Sequence, residues 1–179
     1  MLATKLIAEL ATFSGSPREY IFTKYAHAFN TWGIATTTQG KTIALKIYHL
    51  AIQALQKNIQ AYAQQTKSDI KIIAVFGSYI KGTARLGIYP PSLSYTEAVR
   101  IENDKALLVR LSPMGMDGGS DDYLAYPSDA DIVINRKTHA EIKEIEAILC
   151  KEIFQKFGIF STLTPEGKLQ ELNIPYKPI

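Results

Sequence analysis

Two aspartates one residue apart, Asp129 and Asp131, stand where a short apolar run begins, Asp131-Ile132-Val133-Ile134. Read as a strand, the run turns alternate side chains to opposite faces, so both carboxylates point to one side. Two hard oxygen ligands on one face suit Mg²⁺ or Mn²⁺, and Mg²⁺ is usually held by one or two carboxylates together with substrate phosphates. Carboxylates left unpaired beside an apolar strand would be costly, which favours a cation over a plain strand-ending cap. A second apolar run, Ile70-Lys71-Ile72-Ile73-Ala74-Val75-Phe76, stops at Gly77-Ser78. Glycine lets a phosphate approach the backbone closely because it has no Cβ, and the N–H groups of a following helix attract the anion. A lone Gly-Ser is an ordinary turn; joined to the Asp pair, it completes the parts of a metal-triphosphate site.

Both motifs need a scaffold to bring them together. Apolar residues recur at helical spacing from Leu2 to Phe13, and Ser14-Gly15-Ser16-Pro17 breaks that pattern, with Pro17 suited to a first helical turn. Tyr20, Ile21, Tyr25, Phe29 and Trp32 form a second apolar face ending near Gly33, followed by a loop over Thr36-Thr37-Thr38-Gln39-Gly40. From Lys41 to Thr66 the period is strongest: Ile43, Ile47, Leu50, Ala51, Ala54, Leu55, Ile59 and Tyr62 against polar Gln53, Gln56, Lys57, Gln60 and Gln64. The two apolar runs read as buried strands. Between them lies a long insert, residues 86–127, with a candidate strand from Lys105 to Leu111 and a Gly/Asp-rich loop from Met114 to Asp122. A helical pattern from His139 to Phe157 and an extended stretch from Gly158 to Thr164 follow the Asp pair, and Pro165 stops that stretch. The tail beyond Glu166 has weak periodicity.

These elements predict an α/β chain of one domain: helices over 1–67, a core with its insert over 68–165, and a tail over 166–179. The size and the 46% of hydrophobic residues among 179 allow a sizeable core. With 21% charged and 10% aromatic residues, the composition excludes a disordered acidic or fibrous chain. A net charge of +3 permits a nucleic-acid partner without indicating one. Met1 to Leu10 carries Lys5 and Glu9 and forms neither a signal-peptide core nor a membrane span, so a cytoplasmic location without a membrane partner is expected. The single cysteine, Cys150, falls with Ile145, Ile148, Leu149 and Ile153 on one helical face and reads as a core thiol.

Gly77-Ser78-Tyr79-Ile80-Lys81-Gly82-Thr83 and Ser128-Asp129-Ala130-Asp131-Ile132-Val133 together resemble the signature of the polymerase-β-like nucleotidyltransferase superfamily. They look most similar to its oligoadenylate-synthetase, cyclic-dinucleotide-synthase and minimal nucleotidyltransferase branches. The resemblance implies a nucleotidyltransferase fold, with a small mixed sheet flanked by helices. It implies that Gly77 and Ser78 bind the triphosphate, with Lys81 and Thr83 as further candidates, and that Asp129 and Asp131 are the catalytic, metal-ligating pair. The activity implied is transfer of a nucleoside monophosphate from an NTP, ATP among them, to an acceptor hydroxyl, with Mg²⁺ or Mn²⁺ as cofactor. The acceptor is open: a nucleotide, RNA, a protein or a small molecule. A third carboxylate from a later strand is also implied. Gly158 to Thr164 carries no acid, so Glu166 directly behind it is the candidate third metal ligand, with Glu102, Asp117, Asp121 and Asp122 of the insert as alternatives. Without a third acid, a catalytically inactive nucleotide-binding or regulatory module of the same fold is the alternative.

Other residues carry weaker signals. Arg85, Arg110, Arg136 and Lys137 flank the motifs and read as surface charge. His27, His49 and His139 have no ligand spacing between them. Tyr79, Tyr89, Tyr95, Tyr123 and Tyr126 gather around the insert, where rings could stack on a base.

Overall fold

The computed structural model describes residues 1–95, 99–102, 105–108 and 126–179. Helix α1 spans Leu2–Thr12 and α2 spans Pro17–Lys24. The start of α2 is fixed by a capping box in which the Ser16 hydroxyl accepts from Glu19 N at 3.2 Å and Ser16 N donates to the Glu19 carboxylate at 3.2 Å. A 3₁₀ turn at Ala26–Ala28 continues the apolar face that spacing alone assigned to one helix. The long helix α3 covers Thr38–Thr66. It begins three residues earlier than its apolar period, because Thr37 Oγ1 accepts from Gly40 N at 2.9 Å and caps it. Its buried stripe is Ile43, Ala44, Ile47, Tyr48, Ala51, Leu55 and Ile59.

The structure is mixed α/β. Strand β1, Ile72–Phe76, ends in a one-turn helix α4, Ser78–Lys81. In the insert, β2 at Val99–Glu102 pairs with β3 at Lys105–Leu108 as a separate antiparallel hairpin. Strand β4 is Ala130–Ile134. Helix α5 runs through Lys143–Ile145, a π-helical stretch at Glu146–Cys150, and Lys151–Phe157. Its buried face passes through Glu146, Leu149, Cys150, Ile153, Phe154 and Phe157, which leaves Ile148 on the far side and exposed rather than in the core. Cys150 is fully buried, and burial pushes its thiol up to about 12. Strand β5 is Ser161–Pro165, helix α6 is Glu166–Glu171 and strand β6 is Lys177–Pro178.

The main sheet has the order β5-β4-β1-β6, with β4 antiparallel to β1, β6 antiparallel to β1, and β5 parallel to β4. One face, through Ile132, Ile134 and Leu163, packs on the core built around α3 and α5. On the other, Ala74 and Val133 meet Leu169, Ile174 and Tyr176 from the C-terminal segment. The weakly periodic tail therefore forms a helix and an edge strand. Its order comes from covering apolar sheet surface, which a local period does not reveal. At the outer edge of β5, the buried Glu146 carboxylate accepts from Leu163 N at 2.6 Å. Among the described residues, no helix is long and apolar enough to cross a membrane.

Candidate metal and phosphate site

Antiparallel pairing sets Phe76 opposite Asp131, so the last residue of β1 meets the start of β4. The Gly77-Ser78 turn thereby reaches the aspartates across the whole insert. Gly77 has φ 84° and ψ −154°, a region open essentially to glycine alone. A Cβ at that position would lie 2.1 Å from Asp131 Oδ2. Glycine is thus required twice, for its dihedrals and for the carboxylate pressed against its Cα. On the other side of β4, parallel pairing sets Thr162 opposite Asp131, and the Thr162 hydroxyl donates to Asp131 Oδ1 at 3.1 Å. By strand alternation Asp131 shares a face with Val133. Asp129 and Asp131 are both half-buried.

After Gly77 the backbone closes a single turn: Lys81 N donates to Gly77 O at 3.2 Å, Thr83 N donates to Ser78 O at 2.9 Å, and Gly82 ends the turn at φ 72°. Ser78 is half-buried at the start of this turn, whereas Lys81 and Thr83 are exposed. One turn carries little macrodipole, so the turn's attraction for an anion rests on local backbone N–H groups.

Beside the turn, Tyr79 stacks face to face on Tyr48 of α3, ring centroids 3.7 Å apart and planes 5° from parallel. Burial pushes the Tyr48 phenol up to about 12, and the charge of Asp131 adds to the shift. The Tyr79 phenol is raised by burial, then by Tyr48 and by the charge of Asp129, with Arg85 opposing. Each tyrosine thus feels one of the two carboxylates, and both stay protonated at neutral pH.

Just ahead of Asp129 the two legs of the insert are tied together. Arg85 N donates to Ser128 Oγ at 2.8 Å, Ser128 N donates to Arg85 O at 3.0 Å, and Arg85 Nε donates to Tyr126 O at 2.9 Å. Arg85 and Ser128 therefore fix the approach of the chain to the aspartates. Neither role is legible from residue type, since it depends on pairing across the insert.

Glu166 is not brought to the pair. Pro165 is the register partner of Ile134, so Glu166 lies roughly 13 Å along the sheet from Asp131 at about 3.3 Å per residue. Its carboxylate accepts from the Tyr176 hydroxyl at 2.8 Å. The parallel register places Thr162, not an acid, beside Asp131. Among the described residues, no three His, Cys, Asp or Glu side chains gather as a metal group. Glu102 ends β2, and Asp117, Asp121, Asp122, Arg110, Tyr123 and the Met114–Asp122 loop lie outside the described residues. Arg136 is turned away to Asp69 and Ser68, each at 2.9 Å. His27 meets Gln39, and His139 meets Glu146. Tyr89, Tyr95 and Tyr126 are buried with Phe154 and Phe160, so these rings stack on one another inside the protein.

The donor set fits a hard divalent cation: two carboxylates at one sheet end, one of them packed into the space that the missing Cβ of Gly77 leaves. Compared with protein-family models, curated proteins and solved structures, the chain matches none.

Proposed function

We propose that this corner of the sheet binds a nucleoside triphosphate with Mg²⁺ or Mn²⁺, and that the chain transfers the nucleotidyl group to an acceptor hydroxyl. The close approach of Gly77 to Asp131 carries this reading, because it sets the backbone of a glycine turn directly beside a carboxylate pair. Gly77 and Ser78 would hold the triphosphate, and Asp129 and Asp131 would hold the cation. Lys81 and Thr83, exposed on the same turn, would meet phosphate oxygens from the solvent side. In the reaction the acceptor oxygen would form a bond to the α-phosphorus and give up its proton to water, while the bond from that phosphorus to the bridging oxygen breaks and pyrophosphate leaves. When bound, the cation neutralises charge that develops on the departing phosphates. The chain's own residues would bind and orient the substrate, with the Tyr48–Tyr79 stack packed beside the turn. The acceptor is a nucleotide, an RNA end, a protein or a small molecule, and the setting that suits an NTP substrate is cytoplasmic.

A second reading, nucleotide binding without transfer, is favoured by the hydroxyl of Thr162 standing beside Asp131 and by the distance of Glu166. One experiment separates the two. The protein is incubated with each labelled NTP and Mg²⁺ or Mn²⁺, with Asp129→Ala and Asp131→Ala as controls, and calorimetry is run in parallel. Pyrophosphate release abolished by both substitutions supports transfer; binding with no release leaves the second reading; absence of binding sinks both.

A further inference from the structure

The two oxygens of Asp131 have different neighbours. Thr162 Oγ1 donates to Oδ1 at 3.1 Å, and Oδ2 is turned to the Gly77 backbone. The donor is itself fixed, because Thr162 is the register partner of Asp131 in the parallel β4–β5 ladder and its β-branched side chain has few χ1 choices. A carboxylate with one oxygen engaged in a hydrogen bond is disposed to offer the other singly. Mg²⁺ and Mn²⁺ accept single carboxylate oxygens in octahedral sites, whereas Ca²⁺ takes more ligands and readily uses both oxygens of one carboxylate. Groups that orient a ligating carboxylate from behind typically alter metal affinity 10- to 100-fold when removed.

We propose that Thr162 is a positioning residue that holds Asp131 for single-oxygen ligation through Oδ2, and so favours Mg²⁺ and Mn²⁺ over Ca²⁺. The inference rests on the cation reading of the Asp pair and adds to it the choice of cation. Thr162→Val keeps the branched shape and the strand preference and removes only the donor; Thr162→Ser keeps the donor. The test titrates Mn²⁺ by electron paramagnetic resonance, alone and in competition with Ca²⁺, with thermal melting of every variant. The expected result is Mn²⁺ affinity about tenfold or more weaker in Thr162→Val, a smaller preference for Mn²⁺ over Ca²⁺, and recovery of both in Thr162→Ser. Wild-type affinity and unchanged preference in Thr162→Val would overturn the role of Thr162 while leaving the cation site standing. Wild-type protein that binds no Mn²⁺ overturns the cation reading itself. Should Thr162→Val melt early, its Mn²⁺/Ca²⁺ ratio is read below its melting range, where the protein is folded, beside Thr162→Ala: a ratio equal to wild type in these donor-free variants refutes the proposal, and a lower one upholds it.

Discussion

Asp131 Oδ2 lies 2.1 Å from where a Cβ on Gly77 would stand, although the two residues belong to opposite ends of the insert. Gly77→Ala must therefore displace the carboxylate, and it also forces alanine to φ 84°. The cost in stability is expected to be about 1–3 kcal/mol, from backbone strain of this kind. Loss of Mn²⁺ binding should exceed what the lowered stability explains. Mn²⁺ titration of the folded variant at low temperature, beside a denaturant melt, measures the two effects separately.

The Tyr79 hydroxyl is buried and finds no hydrogen-bond partner among the described residues. Tyr79→Phe removes a desolvated polar group while keeping the stack on Tyr48, so stability should stay level or rise by about 1 kcal/mol. Tyr79→Leu loses the ring pair and is expected to destabilise by about 1–3 kcal/mol. Urea unfolding of the two variants gives the comparison; a destabilised Tyr79→Phe would show that the hydroxyl has a partner after all.

Arg18 is a buried guanidinium whose hydrogen bonds tie α2 to the start of the insert. It donates to Tyr89 O at 2.7 Å, to Leu93 O at 2.6 Å and to Pro90 O, and its charge lies over the Phe154 ring. Burial lowers it only to about 10, so it is charged at neutral pH. Arg18→Met fills much of the same volume and takes the donors from four carbonyls, Phe154 O at 3.5 Å being the fourth, a loss of roughly 2–4 kcal/mol. Faster hydrogen exchange at the Tyr89 amide, which donates to Gly158 O at 2.8 Å, should accompany the loss.

Acid should loosen α1 before the rest of the chain. Hydrogen bonds from Lys24, then Tyr20, hold the Glu9 carboxyl at about 2, against an ordinary value of 4.5. A carboxylate depressed in the folded state contributes stability that is complete above about 4.5 and fades as pH falls toward about 2. Amide exchange in α1 is expected to rise through that window. Glu9→Gln should flatten the pH dependence, and an unchanged profile in that variant would assign the effect elsewhere.

Much of the scaffold was legible in sequence because its signals are local. The α3 stripe, the apolar runs of β1 and β4 and the Gly77-Ser78 and Asp129/Asp131 motifs all repeat or stop within a few residues, at periods a linear reading detects. Glu166 is the instructive departure. It follows β5 directly in sequence, yet a parallel register carries the end of β5 to the far end of β4 and presents Thr162 to Asp131. The tyrosines of the insert, legible only as a cluster, turn out to be buried among Phe154 and Phe160.

By itself, the sequence determined which segments bury an apolar face and where the chain turns, since amphipathic period, capping residues and glycine act over one or two turns of backbone. The tertiary structure alone decided that Thr162 meets Asp131, that Arg85 and Ser128 tie the legs of the insert, and that Lys177–Pro178 closes the sheet edge. Those pairings join residues far apart in the chain, and their register is set by how the strands and helices share one core rather than by any local preference.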